Sequence, residues 1–452
     1  MGMRRKITET LSKWKQSDCH ECALLIDGAR RVGKSYIVEE FAKREFPDYL
    51  LINFKYVGKD VKETFNEYLN RMDSFFERLF LVLDKKPMPR GSLVIFDEVQ
   101  SFPRAREAIK PLVADGRYQY VETGSLVSIR KNTEGILIPS EERHVKMYPM
   151  DFEEFLWARE ANGMMDAIRD AFAKREPLGA LHRRAMDEFR RYMLVGGMPQ
   201  SVRKYLETRD FAAVDRVKRD ILELYRAGIV KYAGAQALKV QAMWDAIPAQ
   251  LTHHEKSYVL ADIDANARRR DYEEPMFWLN DAMICNFCYN ATEPNLGLSF
   301  SADHTTFKCY MADTGLLVSH AFGENELATE EIHKRIMTGD LAINEGMLME
   351  NIVGQMLVAS GHKLFFYSRA DANDRRGRME IDFLIAKSHL ARKNNVSPIE
   401  IKSGKRTRHA SLDKFLAKFP DYLSEPFLFH ANDVGTRGSM KYLPLYMASC
   451  LK

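Results

Sequence analysis

The sequence has little cysteine, no long apolar run and no strong excess of charge of either sign. Six cysteines in 452 residues are too few for a disulfide scaffold. Cys19 and Cys22, like Cys285 and Cys288, have a spacing that can suit zinc. The second pair lies in a run typical of a strand, where residues three apart face opposite ways. We therefore favour buried, reduced thiols over a zinc site.

The longest apolar runs are also short. The run at 79–83 has five residues, far fewer than the roughly 20 that cross a bilayer. The first 18 residues lack the apolar segment of a signal peptide. The net charge of +4 permits nucleic-acid binding without arguing for it. We therefore expect a cytoplasmic chain with no membrane segment and, from its length, three or four domains.

The clearest motif lies at 23–35, where an apolar strand leads into Gly-x-x-x-x-Gly-Lys-Ser and a helical pattern follows. The glycines let backbone N–H groups face phosphate oxygens, the lysine reaches the β- and γ-phosphates, and the serine can ligate Mg²⁺. This Walker A pattern predicts ATP and Mg²⁺ as cofactors. The predicted binding residues are Gly28, Ala29, Arg30, Arg31, Val32, Gly33, Lys34, Ser35 and Tyr36.

A second motif, "SLVIFDE" at 92–98, is a buried strand that ends in two acids. Paired with the first motif it suits Walker B, with Asp97 holding Mg²⁺ together with Ser35, and Glu98 polarising the attacking water. The next strand, at 118–126, ends in small hydroxyl residues. Thr123 or Ser125 could sense the γ-phosphate or cap a helix, and the sequence leaves both alternatives open.

Four segments together resemble bacterial and archaeal AAA-type ATPases in which a P-loop domain precedes a domain of unknown function: "LLIDGARRVGKS", "LVIFDEVQ", "ETGSL" and "YPMDFEEFLW". The resemblance implies an ATP hydrolase with its core at 1–150 and a helical lid at 151–205. It also implies an arginine finger near the end of the helix before the last core strand. Arg143 stands at such a place, with Arg130 as the alternative, and a homo-oligomer is compatible with that arrangement.

The middle of the chain, 206–318, is expected to begin with a helical linker, and from 236 to about 318 it has a pattern of short helices followed by a hairpin. It resembles the winged helix that the same family carries at this position. The residues 268–270, all arginine, precede the expected recognition helix, where they could meet phosphates or simply form a solvated face. The resemblance makes DNA the expected partner, while a protein partner stays open.

The last part, 319–452, has the order α-β-β-β-α and resembles the PD-(D/E)xK nuclease-like core, which also closes the family. That resemblance implies a metal site for Mg²⁺ or Mn²⁺ on Glu350, Asp382, Glu400 and Lys402. A buried salt-bridge network on a degenerate nuclease fold would keep the same residues, so cleavage stays open. Glu380 matches no position of the pattern.

The sequence thus predicts an α/β protein: an AAA-type P-loop domain with a helical lid, a winged helix and a nuclease-like α/β domain. The expected function is a Mg²⁺-dependent ATPase that acts on DNA through its C-terminal domains. One alternative is an ATP-dependent signalling or defence switch with an inactive nuclease-like domain and a protein partner. Another is a DNA-binding module with slow ATP turnover and an inactive nuclease core.

Overall fold

A computed structural model describes most of the chain, in two compact units. The first comprises Met1–Tyr148 with Asp281–Met283, and the second Pro149–Asn280 with Ile284–Lys452. Among the residues described, no helix combines the length and the apolar character needed to cross a bilayer. The described ranges are 2–125, 138–253, 257–294, 297–322, 326–340, 345–369, 379–387, 393–402, 409–437 and 440–451.

The first unit is built on a parallel sheet of five strands in the order β2-β3-β4-β1-β5. All residues of β1, β3 and β4 are buried, as expected for strands covered on both faces, and this explains their apolar runs. The predicted α/β fold with a parallel P-loop sheet is confirmed. Its strands are β1 (Ala23–Asp27), β2 (Tyr49–Asn53), β3 (Leu93–Asp97), β4 (Gln119–Gly124) and β5 (Glu142–Lys146).

One helix of this unit precedes β1 and the others lie between its strands along the chain. They include α1 (Ile7–Ser17), α2 (Lys34–Glu45), α3 (Lys59–Glu67), α4 (Met72–Val82), α5 (Arg104–Glu107) and α6 (Ile109–Asp115).

Parallel pairing aligns the carboxyl ends of three neighbouring strands. Asn53 at the end of β2 lies opposite Asp97 at the end of β3, and Asp97 lies opposite Thr123 in β4. Phe54 and Phe96, next to these positions, pack edge-to-face with ring centroids 5.3 Å apart. Such an aromatic pair contributes about 1 kcal/mol beyond its burial, which fixes the strand ends relative to one another.

The second unit begins with helices and ends in a mixed sheet. The helices are α7 (Phe152–Ala158), α8 (Met164–Lys174), α9 (Ala180–Val195), α10 (Pro199–Thr208), α11 (Phe211–Tyr232), α12 (Ala237–Thr252), α13 (Glu273–Asp281), α14 (Thr314–Ala321), α15 (Glu326–Thr338), α16 (Glu345–Ala359) and α17 (Ala410–Lys418). The strands are β6 (Cys285–Ala291), β7 (Ala302–Met311), β8 (Phe365–Arg369), β9 (Met379–Ala386), β10 (Val396–Ile401), β11 (Phe427–His430), β12 (Gly435–Arg437) and β13 (Met440–Pro444).

A glycine pair ends α9 and turns the chain into α10. Gly196 has φ +78°, which favours glycine, and Pro199 occupies the first position of the next helix. A Cβ atom on Gly197 would lie 2.1 Å from the carbonyl oxygen of Met150, so no side chain fits there. The close approach of Met150 and the left-handed backbone therefore fix a helix stop at this glycine pair.

The sheet of the second unit has eight strands in the order β12-β13-β11-β10-β9-β8-β6-β7. The hairpin β6–β7, predicted as the wing of a winged helix, lies in this sheet because β6 pairs with β8. The predicted boundary at 318 therefore falls between strands of one sheet. The order α16-β8-β9-β10-α17 is the predicted α-β-β-β-α order, and the domain division, the winged helix and the nuclease likeness stay predictions.

Candidate nucleotide and metal sites

The Walker A loop leaves the carboxyl end of β1 and turns directly into α2. Gly33 has φ +96° and Arg31 has φ +70°, so the loop curls through left-handed backbone. That conformation costs a non-glycine residue about 1 kcal/mol. At Gly28 an added Cβ would lie 2.3 Å from the carbonyl oxygen of Met147, so a side chain there would displace the backbone. The two glycines are thus required by geometry.

The side chain of Lys34 is buried and folds back towards the Walker A loop. Its Nζ donates hydrogen bonds to the carbonyl oxygens of Gly28 at 2.8 Å and Ala29 at 3.0 Å. Burial lowers the pKa of Lys34 to about 8, although Glu98, Asp27 and Asp97 oppose that change. A cation in a tight loop of backbone amides is suited to an anionic ligand, which would restore its full charge.

Asp97 receives hydrogen bonds from neutral groups on three other elements. Its Oδ1 accepts from the Ser35 hydroxyl at 2.6 Å and also from the Thr123 hydroxyl. Its Oδ2 accepts from the Asn53 amide at 2.6 Å. The structure thus brings together Ser35, Asp97 and Thr123, three of the predicted site residues. Sequence analysis missed Asn53, although it ends an apolar strand just as Asp97 does.

Glu98 follows β3 with φ +56°, a strained backbone for a residue other than glycine. Its carboxylate accepts a hydrogen bond from the Gln100 amide, whose oxygen accepts from the backbone N–H of Ser125 at 3.3 Å. Gln100, which sequence analysis missed, therefore links Glu98 to the end of β4. The helix-cap alternative for the hydroxyl residues of that strand concerns 126–137, outside the described residues.

Arg143 lies in strand β5, so its predicted place at the end of a helix is wrong. The segment "ERHVK" forms an edge strand instead, and Arg143 pairs in register with Leu24 at the amino half of β1. Its guanidinium pairs with the Asp18 carboxylate. Arg143 is therefore far along the sheet from the loop that follows β1. The role of finger stays a prediction, and Arg130 lies outside the described residues.

A cavity of about 730 Å³ lies between α2 and the segment 2–16, and its lining on α2 begins at Tyr36, directly after the Walker A loop. The first turns of α2 form one wall, including Tyr36, which is 53% exposed, and Ile37. The residues before and along α1 form the other wall. Arg5 holds that segment in place by donating to the carbonyl oxygens of Val32 at 2.8 Å and Tyr148 at 2.7 Å. The volume is within the range of small-molecule sites.

The nuclease-like set of the second unit does not converge on one point. Glu400 pairs with Lys402, while Oδ2 of Asp382 accepts from the backbone N–H of Ile401 at 2.7 Å. Burial raises the pKa of Glu400, and the Lys402 charge opposes that rise. In the described part of the chain, no three His, Cys, Asp or Glu side chains are placed to hold a metal ion. These contacts do not fit a metal ion shared by the predicted set.

Lys308 on β7 is the residue that the acids of this region surround. It is fully buried, and its Nζ lies 2.8 Å from Oε1 of Glu380 and 3.9 Å from Oε2 of Glu350. Burial lowers the pKa of Lys308, but Glu350, Glu380 and Asp382 outweigh it and hold the pKa above its ordinary value. Sequence analysis missed Lys308 and set Glu380 aside. The only signal was a lysine within the apolar run "FKCYM".

The three arginines before α13 are not equivalent. Arg269 donates to the carbonyl oxygen of Thr305 at 3.3 Å, and its guanidinium lies 5.3 Å from the centre of the Phe307 ring. It is therefore part of the β7 hairpin surface. Arg268 and Arg270 are exposed and could meet phosphates.

Comparison with family models divides the chain into three matched stretches. Residues 20–156 match the model described as an AAA domain. Residues 186–327 and 345–445 match two domains of unknown function (DUF8612 and DUF4143). With the Walker A loop, the parallel sheet and the Asp97 cluster, the first match makes residues 20–156 an AAA-type P-loop ATPase domain.

Several solved structures are similar to the chain at low identity, and no curated protein matches it. A Walker-type ATPase of Pyrococcus abyssi is 15% identical over 71% of this chain and 96% of its own, with a TM-score of 0.40. Cdc6p from Pyrobaculum aerophilum is 12% identical over 73% and 93%, with a TM-score of 0.25. Drosophila ORC bound to DNA is 14% identical over 72% and 96%, with a TM-score of 0.27. At such TM-scores these likenesses carry no argument about function.

Proposed function

We propose that the chain is a Mg²⁺-dependent ATPase that binds ATP at Gly28–Ser35. The observation that carries this proposal is the cluster at the carboxyl edge of the parallel sheet. There Asp97 is hydrogen-bonded by neutral groups, Ser35, Asn53 and Thr123, and lies near the buried ammonium of Lys34. Neutral donors orient the carboxylate without cancelling its charge, which fits a site for a hard divalent cation.

The phosphates would lie on the loop and on the first turn of α2, whose leading N–H groups have no partner within the helix. Lys34 would exchange the carbonyl oxygens of Gly28 and Ala29 for phosphate oxygens. Ser35 and Asp97 would hold Mg²⁺, which neutralises charge on the phosphates when bound. Only small local movements of side chains that are already adjacent are needed.

Glu98 is the residue we assign to the attacking water. The left-handed backbone and the Gln100 amide fix its carboxylate just beyond β3, next to the Asp97 cluster. A carboxylate in this position can orient a water molecule and accept its proton as the bond between the water oxygen and phosphorus forms. Thr123 donates to Asp97, and we propose that it also responds to the γ-phosphate.

We propose that the adenosine lies in the cavity beside the loop. Tyr36 and Ile37 directly follow Ser35, so a nucleoside attached to the bound phosphates reaches this wall first. The aromatic ring of Tyr36 offers a face to the base, and Arg5 ties the opposite wall to Val32 of the loop. Tyr36→Ala should weaken ATP binding more than phosphate binding, which competition with inorganic triphosphate measures.

We further propose that turnover is coupled to DNA through the C-terminal unit, with Arg268 and Arg270 as phosphate contacts. Their exposure ahead of α13 supports this assignment. We keep Arg143 as the candidate finger. Because it lies at the amino half of its own sheet, it would act on a second copy in a homo-oligomer.

ATP turnover with and without DNA tests this proposal. We expect DNA to change the rate, and expect Arg268→Ala with Arg270→Ala to reduce that change while basal turnover stays the same. A rate that is equal across linear, branched and single-stranded DNA would favour a switch with a protein partner. Basal turnover should disappear in Lys34→Ala and persist in Lys43→Ala, an exposed lysine on the same helix; turnover that survives Lys34→Ala would refute the nucleotide site.

A further inference from the structure

We propose that Lys308 is the resident cation of the nuclease-like fold. Its ammonium lies 2.8 Å from Glu380 and 3.9 Å from Glu350, so it supplies the positive charge that a metal ion would otherwise bring to these acids. The C-terminal sheet then carries an internal ion cluster in place of a metal-dependent cleavage site. This inference concerns the second unit alone and is independent of the nucleotide site.

The hairpin β6–β7 is the element that delivers this ammonium. Lys308 lies in β7 among buried neighbours, and its side chain has no exposed surface. The centre of the Phe366 ring lies 4.9 Å from Nζ of Lys308, so the ring covers another side of the ammonium. A fully buried ammonium is stable only where carboxylates surround it, so the cluster and the lysine depend on each other.

Each of these carboxylates contacts a protein donor, and for Glu380 that donor is the ammonium itself. Glu380 lies 2.8 Å from Lys308 Nζ, and Oε2 of Glu350 accepts from the Tyr310 hydroxyl at 3.1 Å. Oδ2 of Asp382 accepts from the backbone N–H of Ile401. A divalent ion needs about six oxygen ligands at 2.0–2.6 Å, and a second cation beside the ammonium would be repelled.

The E-x-K pair also contains an internal cation. Glu400 is buried and pairs with the ammonium of Lys402, its own neighbour on the strand face. Both halves of the predicted metal set thus face a lysine, which offsets part of their negative charge inside the protein.

The test measures Mn²⁺ binding to the full chain without nucleotide. The concentration of free Mn²⁺ is read from its paramagnetic signal. An Asp97→Asn background keeps the candidate cation site of the first unit out of the measurement. We expect no site tighter than about 1 mM in the parent. Lys308→Met should bind Mn²⁺ at least tenfold more tightly, and adding Asp382→Asn should abolish that gain. Lys387→Met, an exposed lysine at the end of β9, should change nothing.

Two results would overturn the proposal. The first is tight Mn²⁺ binding by the parent that Asp382→Asn removes, since the metal site would then exist beside Lys308. The second is a folded Lys308→Met chain that gains no binding. If Lys308→Met does not fold, Lys308→Gln replaces it. If that variant also fails, the parent decides alone: an Asp382-dependent Mn²⁺ site refutes the proposal, and its absence supports it.

Discussion

The carboxylate of Asp97 in the first unit and those of Glu350 and Asp382 in the second face different partners. Both groups were predicted as metal ligands from the sequence. Around Asp97 the donors are hydroxyl and amide groups, which carry no charge, and the nearby ammonium of Lys34 donates to backbone carbonyl oxygens instead. Around the second group a buried ammonium, Lys308, lies between the acids.

The difference shows that the donor type, more than the acids, decides what a carboxylate cluster can hold. Neutral donors fix the orientation of Asp97 and leave its negative charge available to a cation. An ammonium both offsets the negative charge of the acids and fills the space that a metal ion would need. Buried carboxylates therefore give a candidate metal site in one unit and an internal ion cluster in the other.

The largest expected effect is on turnover in the first unit. Glu98→Gln keeps the size of the side chain and removes its basicity, so the rate of hydrolysis should fall by about 10²- to 10⁴-fold. ATP binding, measured by fluorescence of a labelled nucleotide, should stay within a few-fold. Glu63→Gln, an exposed acid on α3, is the matched control and should leave the rate unchanged. A full rate in Glu98→Gln would remove Glu98 from the mechanism.

The next effect is on the stability of the second unit. Lys308→Met leaves buried carboxylates without their counter-charge and should cost about 3–5 kcal/mol in the free energy of unfolding. Glu380→Gln added to it should recover part of that loss, because one uncompensated charge disappears. Urea unfolding measures both, with Lys387→Met expected within about 0.5 kcal/mol of the parent. Equal stability of Lys308→Met and the parent would show that the ion cluster is not essential.

His430 is a second buried base in the same unit as Lys308, but among the residues described acids do not surround it. Burial lowers its pKa to about 4, whereas the acids around Lys308 keep that group charged. The unfolded chain binds the proton more readily, so stability is full above pH 6.5 and declines as the pH falls towards 4. The loss should reach about 3 kcal/mol at pH 4. Urea unfolding between pH 7 and 4 should show a smaller decline in His430→Gln, and an unchanged decline in the exposed His253→Gln.

The smallest effect concerns a neutral donor. Asn53→Ala removes one hydrogen bond to Asp97, which should lower Mg²⁺-dependent turnover about tenfold, or about 1.4 kcal/mol. A titration of the rate against Mg²⁺ concentration measures it. Asn66→Ala, exposed on α3, should match the parent. If Asn53→Ala also matched the parent, the remaining hydroxyl donors would suffice to orient the carboxylate.

The sequence predicted what local patterns determine. The loop from Gly28 to Ser35 and the acids after β3 lie within single strand–loop units, so their spacing was enough. Asn53 and Lys308 were missed because their importance depends on strand pairing and on contacts across long stretches of chain. The helical placement of Arg143 was wrong, since a short edge strand with mixed residues gives no clear alternation.

The most direct test of the central comparison is the number of Mn²⁺ ions bound per chain with a non-hydrolysable ATP analogue. We expect one ion, lost in Asp97→Asn and kept in Asp382→Asn. A second ion that Asp382→Asn removes would contradict it, because the acids around Lys308 would then hold a metal after all.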